Sequence, residues 1–308
     1  MADALGKLGA HPFLISAVGN DQTGEYLLKN TLKHVETRGL ARLETFRTAC
    51  YSAIVDKNGE CYFGVGDMDI NDHITPKLVE KFLEEIRLSS LVVMDGNIPV
   101  ETMDYVLHTC KASRIPVWFE PTDVRKAGKV FQSRHWTTLG YVSPNLNELQ
   151  VMSQASGLFY SLSQYHSAWE DDNILNEASF LARNLVEHIG AAVVTLGKLG
   201  VLVVREGEAD EPLLQASRDT LCTRSSVCVR HYAVPFSIAE RRIVNVSGAG
   251  DCFAAGMLEA MLRGLPETEC VSAGFCAAAW SLQSPSAVPE SIPHANIPLC
   301  AEFTLIHS

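Results

Sequence analysis

Short apolar runs alternate with longer stretches of helical periodicity through the middle of the chain. The apolar runs lie at 91–94, 116–119, 139–142 and 191–196. Helical patterns lie at 100–113, from 146 onwards and at 174–189. Buried strands that alternate with helices are typical of a parallel sheet covered on both faces. The pattern therefore predicts an α/β fold with a doubly wound, mostly parallel sheet, to which the run at 201–204 adds an antiparallel strand.

One segment breaks this alternation. Two strand-like runs, 50–55 and 61–65, flank Asp56-Lys57-Asn58-Gly59, and Asn-Gly between apolar runs is the strongest short-range hairpin signal. We therefore expect a single domain over 1–308 with a small lid hairpin at about 45–67. Outside the alternating region, the pattern predicts a strand at 12–18, helices at 22–33, 75–86, 249–263 and 266–282, and a surface loop at 206–228.

The composition is that of a globular protein with an acidic surface. Of the 308 residues, 47% are hydrophobic and 20% are charged, and the formal net charge is −11. Such a surface repels phosphate backbones, which argues against nucleic acid as a partner. Nine cysteines without a Cys-x-x-Cys pair favour reduced thiols and a cytoplasmic location. No apolar run approaches the ~18 residues that a membrane span needs.

The strongest chemical motif lies at 245–251, with the sequence Asn-Val-Ser-Gly-Ala-Gly-Asp before a helix of small residues. Small residues let a ligand approach the backbone, and the free amides of a helix N-terminus attract anions. Asp251 could accept a proton there, an arrangement that suits phosphoryl transfer. A capped helix with a tight turn would give the same pattern, so the residues alone leave both interpretations open. A Walker loop is excluded because no Gly-Lys-Ser/Thr follows the glycines.

Four ordered segments resemble the ribokinase-like (PfkB) carbohydrate kinase family, and together they cover nearly the whole chain. The glycine–aspartate motif at 248–251 is similar to the family's late signature. The other three are Gly19-Asn20-Asp21-Gln22-Thr23-Gly24 (early Gly-x-Asp-x-x-Gly), Asn145-Leu146-Asn147-Glu148 (Asn-x-x-Glu) and Thr195-Leu196-Gly197-Lys198-Leu199-Gly200 (Thr-x-Gly-x-x-Gly). Segments 95–97, 120–122 and 143–148 are most similar to the pseudouridine kinase branch.

The resemblance implies a site for ATP and Mg²⁺. Asp251 would be the base, and the amides of Gly248, Ala249 and Gly250 would hold the charge on the transferred phosphoryl group. Asn145 and Glu148, which share one helix face, would serve a hydrated Mg²⁺. The residues implied along ATP are Thr195, Gly197, Gly200, Asn245 and Ala278. Taken alone, Asn-x-x-Glu is more typical of the start of a helix, and the 195–200 segment is more typical of an ordinary turn.

The resemblance also implies an acceptor site under a lid. The residues implied for substrate binding are Asp21, Gly24, Thr48, Tyr51 and Asn97. A lid would exclude water and so prevent hydrolysis of ATP. It would also form a homodimer contact, and the loop at 284–289 matches the region where family members bind a monovalent cation such as K⁺. Without the resemblance, Asp21 predicts a helix cap, Asn97 a turn residue, and the hairpin an exposed pairing surface.

The chain departs from the family pattern at its beginning, where Met1 falls in the segment that normally follows a strand and a Gly-Gly pair. We therefore expect an ATP-dependent kinase for a primary hydroxyl of a sugar or nucleoside, with pseudouridine the leading substrate and the activity of a shortened chain in question. The alternatives are another sugar kinase, such as a ribokinase, and a non-catalytic form that binds nucleotide or nucleoside. A Rossmann-type dehydrogenase is disfavoured because Gly-x-Gly-x-x-Gly is absent after the first strand.

Overall fold

The structure is a computed structural model that describes residues 1–55, 61–158, 171–214, 227–235, 243–293 and 301–306. The chain divides into two compact units. The first unit consists of Met1–Glu85, Pro212–Leu214 and Pro235–Ala301, and the second of Ile86–Glu211, Gln215–Val234 and Glu302–Ser308. The expected single domain stays a prediction, and each unit is described by itself.

The helices and strands follow one another as the alternation predicts. The helices are α1 Ala2–Lys7, α2 Gln22–Tyr26, α3 Pro76–Glu80, α4 Leu83–Leu88, α5 Val100–Ser113, α6 Leu146–Ala155, α7 Asp171–Val186, α8 Ala249–Leu262 and α9 Glu267–Leu282. The strands are β1 Ser16–Gly19, β2 Leu40–Leu43, β3 Cys50–Val55, β4 Cys61–Asp67, β5 Val92–Asp95, β6 Val117–Glu120, β7 Tyr141–Val142, β8 Ala191–Thr195, β9 Val201–Glu206, β10 Val227–Tyr232 and β11 Thr304–Leu305.

The second unit contains a seven-stranded sheet in the order β11-β10-β9-β8-β7-β6-β5. Strands β5 to β8 are parallel, whereas β9, β10 and β11 each pair antiparallel with their neighbours. Strands β6, β7 and β8 are short and mostly apolar, because a sheet with helices on its faces buries both sides of its inner strands. Trp118, Phe119 and Val142 are fully or almost fully buried there. The α/β fold is confirmed, but the sheet is mixed rather than mostly parallel, because three of its six strand pairings are parallel and three are antiparallel.

The first unit contains two smaller sheets and two long helices. Strands β1 and β2 pair in parallel, and β3 pairs antiparallel with β4. Helices α8 and α9 follow one another and pack together through Phe253 and Phe275, whose ring centroids lie 5.5 Å apart. Most of the inner face of α8 is buried, as its small and apolar residues predict. Strands β3 and β4 confirm the predicted hairpin, whose turn at 56–60 lies outside the described residues.

Four expectations differ from the structure. The helix predicted at 22–33 is α-helical only over α2 and continues as a π-helix over Leu27–Thr31. The helix predicted at 75–86 is interrupted between α3 and α4, where the ring of Phe82 packs on Phe13 with centroids 5.4 Å apart. The strand predicted at 12–18 begins only at Ser16. The loop predicted from 206 begins later, because β9 continues through buried Arg205 and Glu206. The guanidinium group of Arg205 donates to the carbonyl oxygens of Glu206 and Glu208, which makes its burial tolerable.

Candidate active site

Helix α8 begins at Gly248, whose backbone adopts φ +84°. Glycine is needed here for two reasons. Its φ lies in the left-handed region, and a Cβ would collide with the carbonyl group of Ala287. At Gly250, in contrast, a Cβ would meet no atom within 4 Å. The turn is thus packed tightly on its Gly248 side, and the space at the Gly250 Cα is open.

The amides at this helix start are not equivalent. The Ala249 amide already donates to the carbonyl oxygen of Val246 at 3.3 Å, and the Cys252 amide makes the first regular helix bond, to Gly248. Of the three amides expected to hold phosphoryl charge, Ala249 is therefore partly engaged by its own turn. For Gly248 and Gly250, the described residues provide no such backbone acceptor. These two amides, with the positive end of the α8 dipole, suit an anion.

Asp251 lies in the first turn of α8, and 49% of its side chain is exposed. Its Oδ1 forms an ion pair with the N-terminal ammonium group of Met1 at 3.2 Å. The rest of the carboxylate is open to solvent, so an incoming hydroxyl group can reach it. An accessible carboxylate beside an anion-binding turn has the chemistry of a general base.

Asn245 is held in place just before this turn. Its Oδ1 accepts a hydrogen bond from the Ser247 amide at 3.0 Å, and its Nδ2 donates to the Pro285 carbonyl oxygen at 3.4 Å. Ser281 Oγ donates to the Ala287 carbonyl in the same 284–289 loop at 2.9 Å. Ala278 is half-buried on α9. The structure therefore brings the motif and the 284–289 loop into direct contact within the first unit.

In the second unit, the carboxyl ends of β7 and β8 bring two other predicted segments together. Asn145 and Thr195 form a parallel bridge, and the Thr195 amide donates to the Pro144 carbonyl oxygen at 3.0 Å. Asn145 Oδ1 accepts from the Glu148 amide at 2.9 Å, and Glu148 Oε2 accepts from the Asn145 amide at 2.8 Å. This is a complete capping box, as the helix-start interpretation predicts.

The capping box engages only one carboxylate oxygen of Glu148, Oε2. Burial raises the pKa of its carboxyl group, the Asn145 amide lowers it, and the nearby Asp123 carboxylate raises it further. A buried anion of this kind is stabilised by a cation. Among the residues that the structure describes, no group of three acidic, histidine or cysteine side chains forms a metal cluster. Because the capping box uses Oε2, Glu148 Oε1 is the oxygen that could serve a Mg²⁺ that keeps several waters and takes few protein ligands.

The segment from Thr195 to Gly200 forms the predicted tight turn between β8 and β9. Gly197 and Gly200 adopt φ +57° and +95°, and a bond of 2.8 Å from the Leu196 amide to the Gly200 carbonyl closes the turn. A Cβ at Gly197 would meet nothing within 4 Å, whereas one at Gly200 would collide with the Tyr232 carbonyl. One side of the turn is open and the other is packed.

Asn97, also in the second unit, is engaged by its neighbours. Its amide and Nδ2 donate to Asp95 at 2.9 and 3.0 Å, and its Oδ1 accepts from Lys126 Nζ at 2.8 Å. Asp123 Oδ2 pairs with the same ammonium group at 2.9 Å. The turn-residue interpretation of Asn97 describes these contacts, and its contact with substrate stays a prediction.

Asp21 forms the N-cap of α2 and joins Thr48 to it. Its Oδ1 accepts from the Gly24 amide at 2.8 Å and from Thr48 Oγ1 at 2.7 Å, and its Oδ2 accepts from the Thr48 amide at 2.8 Å. The Thr48 amide is the main cause of the lowered pKa of Asp21, followed by the Gly24 amide. A Cβ at Gly24 would collide with the Gly19 carbonyl. The cap interpretation of Asp21 accounts for its bond from the Gly24 amide, whereas the two bonds from Thr48 lie outside it.

Tyr51 lies on β3, and its ring covers Gly64 and Gly66 on the facing strand. Its side chain is 54% exposed. The opposite face of the hairpin carries Ile54, Phe63 and Val65, all more than half exposed. Tyr51 is therefore accessible, whereas Thr48, which is tied to Asp21, is buried.

The pfkB carbohydrate kinase family model matches residues 1–295. The chain belongs to this family. It is 27% identical to the pseudouridine kinase of Arabidopsis thaliana over 94% of this chain and 82% of the relative. It is 24% identical to the pseudouridine kinase of Escherichia coli over 88% of this chain and 74% of the relative. This pfkB kinase is thus a phosphotransferase for a sugar or nucleoside, and enzymes of its kind use ATP and Mg²⁺.

Solved structures confirm the ribokinase-like fold. The chain matches a carbohydrate kinase from Agrobacterium tumefaciens with a TM-score of 0.67 and 23% identity, over 99% of this chain and 86% of that one. It matches the Arabidopsis thaliana ribokinase complexed with ribose and ATP with a TM-score of 0.68 and 17% identity, over 94% and 82% of the two chains. None of the described helices of this pfkB kinase is long and apolar enough to cross a bilayer.

Sequence reasoning missed several contacts around these segments of the pfkB kinase. Examples are the ion pair of Asp251 with Met1 and the hydrogen bond between His231 and the Leu199 carbonyl. Ser143 Oγ also donates a short hydrogen bond to Glu120 at the ends of β6 and β7. No sequence signal marks these pairs, because their members lie 23 to 250 positions apart and belong to no shared motif.

Proposed function

We propose that the chain transfers the γ-phosphoryl group of ATP to a primary hydroxyl group of a nucleoside, with pseudouridine as the leading substrate. The observation that carries the proposal is the start of α8, where an exposed Asp251 carboxylate follows the open Gly250 position. The similarity to two pseudouridine kinases supports the choice of substrate.

Each group at the start of α8 has a separate task in this reaction. Asp251 accepts the proton of the acceptor hydroxyl group as the oxygen attacks phosphorus. The Gly248 and Gly250 amides and the α8 dipole stabilise the negative charge of the migrating phosphoryl group. The partly engaged Ala249 amide becomes a third donor once it turns from the Val246 carbonyl. Asn245 orients the segment that leads into α8, because its Oδ1 accepts a hydrogen bond from the Ser247 amide.

The remaining residues of the proposal are those that the family resemblance implies. Glu148, with Asn145 beside it, would hold a hydrated Mg²⁺, which neutralises phosphate charge when bound. The open side of the turn at Gly197, with Thr195, would lie along ATP, and Ala278 of the first unit would lie near the adenine. Asp21, Gly24, Thr48, Tyr51 and Asn97 are proposed to orient the acceptor directly or through their neighbours.

Three further features belong to the same proposal. The exposed apolar face of the lid hairpin, formed by Ile54, Phe63 and Val65, supports a homodimer contact. The carbonyl groups of the 284–289 loop support a bound monovalent cation such as K⁺. A cytoplasmic location is in keeping with the free thiols of Cys50, Cys110, Cys228, Cys252, Cys270 and Cys276.

The decisive comparison is between Asp251→Asn and the parent chain. Loss of the base should lower kcat by about 10²- to 10⁴-fold, while an ATP analogue still binds. Asp210→Asn, at an exposed position in the second unit, is the matched control and should retain activity. ADP release is measured with pseudouridine, uridine and ribose in KCl and in NaCl, and light scattering of the same preparation gives the molar mass.

Each outcome has a distinct meaning. Full turnover in Asp251→Asn contradicts the assigned base. ADP release with ribose alone shows that the acceptor is a sugar rather than a nucleoside. Binding of nucleotide without any product from the parent chain identifies the non-catalytic alternative. Equal rates in KCl and NaCl contradict the cation, and a monomeric mass contradicts the dimer.

A further inference from the structure

The turn from Thr195 to Gly200 is flexible by composition. Two of its six residues are glycines with positive φ, and glycine restricts the backbone less than any other residue. Its internal hydrogen bonds occupy the carbonyl groups of Leu196, Gly197 and Gly200. These bonds close the loop, but they leave the Leu199 carbonyl, just before Gly200, without an acceptor role inside the turn.

The partner of that carbonyl comes from β10. His231 Nε2 lies 2.6 Å from the Leu199 carbonyl oxygen. Because a carbonyl group only accepts, the ring nitrogen must carry the proton and donate. His231 pairs with Leu202 across the β9–β10 ladder, so its backbone is fixed by the sheet. The imidazole ring therefore connects a rigid strand to the peptide between Leu199 and Gly200.

A second contact, from the backbone at the end of β10, holds Gly200 at the end of the turn. The backbone of residues 232–234 lies directly against Gly200, where a Cβ would collide with the Tyr232 carbonyl and approach Ala233 Cα at 3.0 Å. On the other side of the turn, the Thr195 amide donates to the Pro144 carbonyl. Among the described residues, nothing lies within 4 Å of a Cβ placed at Gly197, so this side of the turn is open while both flanks are anchored.

We propose that His231 is a positioning residue for nucleotide binding: its Nε2–H···O=C bond to Leu199 holds the 195–200 turn in the conformation that binds ATP. The proposal rests on the proposed function, because it takes the turn as part of the nucleotide site. His231 itself touches neither nucleotide nor acceptor. It acts by reducing the number of conformations that the glycine-containing turn must lose when nucleotide binds.

The experiment compares three variants of the full chain in calorimetry with a non-hydrolysable ATP analogue. His231→Leu removes the donor, and His231→Gln keeps an amide N–H near the position of Nε2. His188→Leu makes the same replacement at an exposed histidine before the amino end of β8 and is the matched control. We expect the Kd of the analogue to rise about three- to tenfold in His231→Leu, and to stay within about twofold of the parent value in the other two.

Two readouts separate positioning from a general structural role. The KM for the acceptor should stay within about twofold in every variant, and thermal unfolding should show equally folded samples. If His231→Leu does not fold, His231→Asn replaces it, because its shorter amide cannot reach Leu199. An unchanged nucleotide Kd in the donor-lacking variant, or an equal loss of nucleotide and acceptor affinity, overturns the positioning role.

The same data distinguish this failure from failure of the proposed function. A parent chain that binds the analogue with the same Kd as His231→Leu contradicts only the role of His231. A parent chain that binds no ATP analogue at all contradicts the nucleotide site, and the positioning role is then rejected with it.

Discussion

Thr48 shows how one residue can combine a substrate assignment with a folding role. Its hydroxyl group donates to Asp21 Oδ1 at 2.7 Å and accepts from the Gly19 amide at 2.9 Å, and the residue is 4% exposed. The contact ties the carboxyl end of β1 to the start of α2. Any acceptor that used this hydroxyl group would use an atom already fixed by two partners.

We therefore predict that Thr48→Val destabilises the protein by about 1–3 kcal/mol, because the buried Gly19 amide loses its acceptor. Thr48→Ser keeps the hydroxyl group and should lose much less. Urea unfolding followed by circular dichroism measures both changes in unfolding free energy. Equal stability of the valine and serine variants would refute this role of the hydroxyl group.

The pKa of Asp21 gives the same network a pH dependence. The Thr48 and Gly24 amides hold the pKa below the ordinary value of 3.8, so the folded state favours the ionised carboxylate. The stabilisation is therefore present above about pH 4 and is lost as the pH falls through the lowered value. Melting temperature measured between pH 6 and pH 2.5 should fall less steeply for Asp21→Asn than for the parent chain.

At the scale of the element, helix α6 carries its candidate metal ligand in its own N-terminal cap. Glu148→Gln retains an oxygen for the Asn145 amide but loses the charge, and Glu148→Ala loses both. We expect the glutamine variant to melt within about 2 °C of the parent chain yet to need more Mg²⁺ for turnover. We expect the alanine variant to lose about 0.5–2 kcal/mol as well. Equal Mg²⁺ dependence of parent and glutamine variants would argue against the metal role.

The elements differ in how well the sequence predicts them. The bounds of α5 and α9 agree with prediction to within one residue, because a long periodic apolar face is a strong signal. The break after α3 depends on the contact of Phe82 with Phe13, which lies 69 positions away. Likewise, buried Arg205 has the pattern of a loop residue until the carbonyl groups that bind it are known. Local patterns cannot encode such partners.

At the scale of the whole molecule, some features of the candidate site can be predicted from the sequence and others cannot. Glycines at 248 and 200 are predictable because only their residue type permits the positive φ and the close approach observed there. The family resemblance covers both units, and the family model confirms it over 1–295. The dual engagement of Asp21 and the His231–Leu199 bond could not be predicted, because the partners lie 27 and 32 positions apart.

The two-residue strand β11 affects how readily the protein aggregates. It covers β10 only opposite Arg230 and His231, and a bond from the Ile306 amide to the Val229 carbonyl extends it by one step. An edge strand this short is easily displaced, and displacement would uncover a template for intermolecular strand addition. Deletion of residues 302–306 should therefore make the protein aggregate on mild heating, as turbidity would record, whereas Leu305→Ala, which keeps the backbone pairing, should not.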